Sequence, residues 1–338
     1  MNPSTMSHLS ISDEYSRRGI ETIFLENSAM RVEVLSGKGG DITEIRDKRT
    51  DVNILFEVPF EWRVPSDGPV GAPDAVAAFE DHYPGGWQSI LPNAGGPSSN
   101  MGATLAQHGE SSIIPWQYSI REKPNEITVQ LEASLTRYPF SLNRNISLRK
   151  DDPTLYVNET VTNEGNIPIQ YSWLEHIALG KPLIGPDAEF EVDCGWVMAD
   201  PDHDHCNRRI NPGASFDWPG DEAGIDLQTF PGPNSKVFDL FVMGDVSQGK
   251  YTVRNPTIDL GVTVAYDNCL FEYLWYWGAF NGHDESPFFG RNYNVGLEPA
   301  TSCPIIGGLD GAIENETANV LEAGESIETE VSLQTHSS

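Results

Sequence analysis

The sequence predicts an all-β fold, and three observations carry that expectation. Wherever a period can be seen it is two, turn chemistry separates the periodic runs, and 31 Gly with 24 Pro leave no stretch that reads as a long amphipathic helix. Near the start, Met30, Val32 and Val34 alternate with Arg31 and Glu33, and the turn Gly37-Lys38-Gly39-Gly40 follows. The next turn is Asp47-Lys48-Arg49-Thr50. Further on, Ile127, Val129, Leu131, Ala133 and Leu135 alternate with Thr128, Gln130, Glu132 and Ser134, which puts one strand face in a core and the other in water. Lys123-Pro124-Asn125, Asp151-Asp152-Pro153 and Asn163-Glu164-Gly165-Asn166 punctuate this region as hairpin turns. Two stretches, 65–100 and 198–222, read as long loops. The first holds Tyr83-Pro84-Gly85-Gly86-Trp87 and Pro92-Asn93-Ala94-Gly95-Gly96-Pro97, and suits a lid or rim over a cleft. With no internal repeat and no linker, the expected organisation is a polar N-terminal extension over 1–20 and a single β domain over 21–336.

Charge is the strongest global signal: 50 acidic residues stand against 21 basic ones, a net charge of −29. Such a surface repels nucleic acid and anionic membranes, so neither is an expected partner. The acidic residues are spread along the chain rather than gathered in a tail, which reads as adaptation to a high-salt cytoplasm, where salt screens self-repulsion. No stretch has the apolar length of a membrane span, and residues 1–20 lack a secretory pattern, so a cytoplasmic location is expected. Cys194, Cys206, Cys269 and Cys303 have no C-x-x-C spacing and are expected as reduced thiols. Homo-oligomerisation is left open by the sequence.

Chemistry concentrates in Gln107-His108-Gly109-Glu110, Trp173-Leu174-Glu175-His176 and Gly296-Leu297-Glu298-Pro299. Taken singly, His176 reads as a strand histidine, His108 as a turn residue and Glu298 as a strand end. Taken together, one carboxylate and two imidazoles are the groups that move a proton between two oxygens of a sugar, with no metal and no cofactor.

These segments, with Gly39-Gly40-Asp41-Ile42-Thr43-Glu44-Ile45 near the start, Arg144 to Leu148, and Leu321-Glu322-Ala323-Gly324-Glu325-Ser326 near the end, resemble in order and spacing the aldose 1-epimerase (galactose mutarotase) superfamily along nearly the whole chain. The resemblance implies a galactose mutarotase-like β-supersandwich with an open cleft. It implies Glu298 as general base for the anomeric hydroxyl, His176 as general acid for the ring oxygen, and His108 as a hydrogen-bonding group beside that oxygen. Two departures bear on substrate. Superfamily members that act on hexose 6-phosphates resemble His-Gly-Phe-Ala-Arg; here His108-Gly109-Glu110-Ser111-Ser112 puts Glu110 where phosphate would be repelled, which favours a neutral sugar. Gln88 to Asn93 replaces the Asn-Arg pair of galactose-type members. The expected substrate-binding residues are therefore His108, Glu110, Trp87, Gln88, Asn93, Trp173 and Trp275. The last shares a strand face with Tyr273 and Trp277, whose rings suit the C–H faces of a sugar.

Asp200-Pro201-Asp202-His203-Asp204-His205-Cys206 carries oxygen, nitrogen and sulfur donors, but no further ligand pair stands at a recognisable spacing, so it reads as an exposed acidic loop. The leading function is anomer interconversion of a neutral sugar. The alternatives are a non-catalytic carbohydrate-binding protein on the same scaffold and, more remotely, a metal-assisted sugar-acid isomerase or lyase.

Overall fold

The computed structural model describes residues 9–65, 75–220 and 224–338. Among these, strands dominate, and every pairing between named strands is antiparallel. A 12-stranded sheet runs, in spatial order, through Ser10–Arg17, Ile20–Glu26, Met30–Leu35, Asp41–Asp47, Trp87–Ile90, Leu174–Gly180, Tyr293–Ala300, Tyr273–Phe280, Val237–Gly244, Trp196–Ala199 and Ser215–Asp217, with Val52–Asn53 paired to Asp41–Asp47. An 8-stranded sheet packs against it, and the alternating strand Glu126–Ser134 buries Ile127, Val129 and Leu131 as its pattern predicts. The α-helices Ala77–Glu80 and Gly308–Glu314 are short, in keeping with the Gly and Pro content. The polar segment expected as an extension contributes the strand Ser10–Arg17, whose burial shows no clean alternation because it lies at the sheet edge.

The middle of the large sheet is covered on both faces, so Leu174–Gly180 and Tyr293–Ala300 are buried at every position and show no polar–apolar alternation. One face, with Trp87, Trp173, Ile177, Leu179, Val295 and Leu297, joins the intersheet core. The opposite face, with Ile90, Leu174, Ala178, Trp275 and Ala300, carries a second apolar cluster covered by Phe56, Val58, Trp62, Phe79, Tyr83 and Phe288. The parity of each residue along these strands therefore decides which of two buried environments it enters. The loop 65–100 supplies Phe79 and Tyr83 to this cover; its residues 66–74 lie outside the described residues.

Arg17, Arg31, Arg46, Arg209 and Arg254 each lie within ion-pair distance of a carboxylate, yet the chain keeps a net charge of −29. Unpaired acidic charge repels itself and is screened over about 3 Å in about 1 M salt. Raising KCl from about 0.1 M to that level is expected to lift the thermal unfolding midpoint by several degrees, on the order of 1–2 kcal/mol for a chain of this size. Circular dichroism melts check this, and a midpoint that falls or stays constant contradicts the high-salt reading.

Candidate active site

The register of the large sheet builds the site. Leu174 pairs with Ala300 and Ala178 with Gly296, which sets His176 opposite Glu298. His176 also pairs with Gln88, and Glu298 pairs with Trp275. Gln88, His176, Glu298 and Trp275 thus form one row across four adjacent strands, all on the face away from the 8-stranded sheet. His176 Nε2 lies 3.4 Å from Glu298 Oε1, and both side chains are buried. The two groups therefore stand side by side, with no gap between them.

Glu298 reaches this place because Gly296 has no side chain. A Cβ at Gly296 would stand 2.2 Å from Glu298 Oε1 and 2.9 Å from its carboxyl carbon, so the carboxylate folds back over the glycine two positions earlier. Gly296→Ala is expected to leave the sheet folded but push the carboxylate aside, lowering kcat by about 10²-fold, the penalty typical of a misplacement near 1 Å. Stopped-flow polarimetry alongside a thermal melt checks this; unchanged kcat contradicts it.

His176 and Glu298, the middle of the row, form the floor of a cleft of ≈ 300 Å³. Its walls include Phe79, Tyr83, Trp277, Phe238 and Phe288, the backbone of Gly95 and Gly96, and the imidazoles of His108 and His283. The ring of His108 lies 5.2 Å from that of His176 and 4.5 Å from that of Phe79. His108 has a φ of 57° and exchanges two hydrogen bonds with Gly95: its N–H donates to the Gly95 carbonyl, and its Nδ1 accepts from the Gly95 N–H at 3.2 Å. The second bond assigns the tautomer, leaving Nε2–H as a donor. Gly109, with a φ of 64°, allows this close packing, since a Cβ there would lie 2.3 Å from the Leu91 carbonyl oxygen.

Burial sets the protonation of the cleft. It lowers His176 to about 4, and with the neighbouring His176 it holds His108 well below the ordinary imidazole range. It also raises Glu298 well above the ordinary carboxylate range. Burial therefore favours the neutral pair, a protonated Glu298 beside a neutral His176, over a separated charge pair.

Several expected sugar-binding residues lie elsewhere. Trp87 and Trp173 have the opposite parity to Gln88 and His176 and point into the intersheet core, where their indole N–H groups donate to Glu175 at 2.5 and 2.9 Å. Glu110 accepts from the Arg137 N–H at 2.7 Å and does not line the cleft. Asn93 accepts from the Leu309 N–H and donates to the Gly96 and Ala106 carbonyls, so it braces the Gly95–Gly96 wall and the helix Gly308–Glu314 from behind. Trp275 is on the correct face but lies under the loop after Ala300, its indole N–H donating to the Ser302 carbonyl at 2.6 Å. Trp277, one pair along the same strand face, lines the cleft. Gln88 is next to His176 but fully buried, its amide donating to the Gly85 carbonyl. Tyr83, Phe79, Phe238, His283 and Phe288 are wall residues that sequence reasoning missed; the turn Tyr83-Pro84-Gly85-Gly86 is the one signal for any of these five.

The run Asp200 to Cys206 is not a uniformly exposed loop. Asp200 is buried and accepts from the Ile305 and Ile306 N–H groups, and His203 is buried with Nε2 donating to the Phe238 carbonyl. His205, Cys206 and Asp284 bring nitrogen, sulfur and oxygen donors within 4.8 Å of one another. However, the Asn207 N–H donates to His205 Nδ1, which puts the ring proton on Nε2, where it donates to Asp284 Oδ1 at 3.0 Å. His205 and Asp284 are thus joined by a hydrogen bond, with the exposed Cys206 thiol beside them.

The chain matches the family described as Domain of unknown function (DUF4432) over residues 17–335, and it belongs to that family. No curated protein matches it by sequence. Solved structures resemble it along nearly its full length. A Klebsiella pneumoniae protein provisionally called an aldose 1-epimerase has a TM-score of 0.74 at 14% identity, covering 97% of this chain and 83% of that one. A galactose mutarotase-like protein from Clostridium acetobutylicum has a TM-score of 0.69 at 14% identity, with 98% and 99% covered. Another from Lactobacillus casei has a TM-score of 0.64 at 17% identity, with 93% and 100% covered. The fold is that of the galactose mutarotase-like β-sandwiches. No helix among the described residues is long and apolar enough to cross a membrane.

Proposed function

We propose that this protein interconverts the anomers of a neutral sugar, with Glu298 and His176 as the proton-transfer pair. The observation that carries the reading is the 3.4 Å contact between His176 Nε2 and Glu298 Oε1 on the floor of an aromatic-walled cleft. The basic partner takes the proton of the anomeric hydroxyl while the acidic partner protonates the ring oxygen, and the C1–O5 bond breaks to give the open aldehyde. Rotation about C1–C2 and reclosure with roles exchanged gives the other anomer. Glu298 as base and His176 as acid requires the shared proton to sit on the imidazole; burial alone favours the opposite partition, in which Glu298 gives and His176 takes. Both partitions hold one proton between the pair and serve the same two oxygens. His108, a neutral donor through Nε2, is suited to the ring oxygen.

A neutral substrate is favoured by the wall chemistry. The described residues that line the cleft include no Lys or Arg, so an anionic sugar would find no counter-charge among them. Glu110 lies outside the cleft and has no bearing on the charge of a bound sugar. Trp277 offers an aromatic face for the C–H side of a pyranose. The test is polarimetry or NMR of freshly dissolved α-sugars with the wild type, Glu298→Gln and His176→Asn. Equal rates for all three across a broad sugar panel would remove the proposal.

A further inference from the structure

Asn93 lies behind the cleft wall, yet its hydrogen bonds close around His108. The residue is fully buried, and its amide is engaged with backbone throughout. Nδ2 donates to the Gly96 and Ala106 carbonyls, each at 2.8 Å, and Oδ1 accepts from the Leu309 N–H at 2.8 Å. Both amide protons are in use, which leaves none for a sugar hydroxyl.

The two carbonyls that Asn93 holds belong to the two segments that fix His108. Gly96 follows Gly95, whose carbonyl accepts from the His108 N–H at 2.9 Å and whose N–H donates to His108 Nδ1 at 3.2 Å. Ala106 stands two residues before His108. Its carbonyl also accepts from the Gly109 N–H at 2.9 Å, closing the turn that carries the imidazole. The packing behind Gly95 and Gly96 is tight. A Cβ at Gly95 would lie 1.9 Å from the Ile305 carbonyl oxygen, one at Gly96 2.2 Å from that of Ile306, and one at Gly308 2.3 Å from that of Gly96. The wall therefore sits directly on the backbone of residues 305–308, and Asn93 bonds to both sides of that seam.

Which nitrogen of a neutral imidazole carries the proton is set by the bond that the other nitrogen makes. Here the Gly95 N–H occupies the Nδ1 lone pair, so the place of Gly95 fixes both the ring and its tautomer. His108 Nε2, by contrast, is neither bonded within the described residues nor sealed from solvent.

We infer that Asn93 is a positioning residue, which holds Gly95 against His108 and so keeps Nε2–H as the free donor of that imidazole. This rests on the anomer-interconverting function proposed above, in which that donor serves the ring oxygen. Asn93 itself touches no sugar and moves no proton.

A double-variant cycle tests this. Asn93→Asp keeps the side-chain shape and the acceptor for the Leu309 N–H but removes the donors to Gly96 and Ala106. With His108 present it is expected to lower kcat about 10-fold, below the roughly 10²-fold of a misplacement near 1 Å. In the His108→Ala background the same change should cost less than about twofold, because the residue it positions is gone. A merely structural asparagine would cost the same factor in both backgrounds; that result overturns the inference, as does a wild-type kcat. The uncharged Asn93→Ser carries the same cycle if Asn93→Asp does not fold. NMR of protein carrying ¹⁵N-labelled histidine reads the tautomer directly, with Nε2–H alone expected in the wild type and a mixture in the Asn93 variants. A wild-type His108 protonated on Nδ1, or an unchanged tautomer in the variants, also overturns the inference. A wild type that accelerates no sugar removes the proposed function, and the tautomer measurement then decides the positioning role by itself.

Discussion

Glu298→Gln is expected to lower kcat for anomer exchange by about 10³-fold, within the range of a lost general acid–base group, while leaving the fold intact. Glutamine keeps the shape and the place above Gly296 but cannot take or give the proton. His176→Asn should cost a similar factor, and the double variant little more than either single one, because the two residues act as a unit. The pH profile of kcat/KM carries a second signature. Activity needs one proton on the pair. Below about 4, His176 gains a second proton, and the rate falls on the acid side. On the alkaline side the rate falls as Glu298 loses its proton, at a pH above the ordinary carboxylate range because burial opposes the charge. An alkaline limb that falls through the ordinary carboxylate range, or an acid limb that falls through the ordinary imidazole range, would contradict the one-proton site.

Arg144→Met is expected to cost about 3–5 kcal/mol of folding stability, the penalty for leaving buried charge without its partner. Arg144 is fully buried between the sheets, with Nη1 3.2 Å from Glu159 and Nη2 3.8 Å from Glu175. Glu159 is its cross-strand partner in the 8-stranded sheet, whereas Glu175 comes from the large sheet, next to His176 but on the opposite face. The guanidinium also lies 5.5 Å from the Trp87 ring. Burial, and then the charge of Glu159, raise Glu175 well above the ordinary carboxylate range, with Arg144 opposing the rise. Removing Arg144 therefore leaves two carboxyl groups facing each other in an apolar interior. Denaturant unfolding measures the loss, which is a large fraction of the roughly 5–15 kcal/mol typical of a folded domain. Adding Glu159→Gln and Glu175→Gln should recover much of it; a near-neutral single variant would show that the network carries little stability.

The residues that the sequence marks as chemical and those that the structure gathers overlap only in part. Glu298, His176 and His108 lie around one cleft. Trp87 and Trp173 do not, although an aromatic residue beside a cleft residue is a natural choice. In a strand buried on both faces there is no polar–apolar alternation to say which side is which, so Trp87 cannot be told from Gln88, or Trp173 from Leu174, by pattern alone. Trp275 and Trp277 share a face, and only the path of the chain after Ala300 decides that the first is covered and the second open. Phe79 lies in the short helix Ala77–Glu80 and Tyr83 in the segment after it, both too short for a period to reveal which side chains turn inward.

The sequence by itself determined the all-β architecture, because period-two patterning and hairpin turns are local properties of adjacent residues. It also supplied the acidic character and the titratable residue types. Tertiary structure alone decided that Glu298 and His176 touch, that Arg144 bridges two carboxyl groups, and that Tyr83 lines the cleft. Those facts depend on strand register and on which sheet face is covered by what, and both are set by contacts between residues more than a hundred positions apart, as for His176 and Glu298.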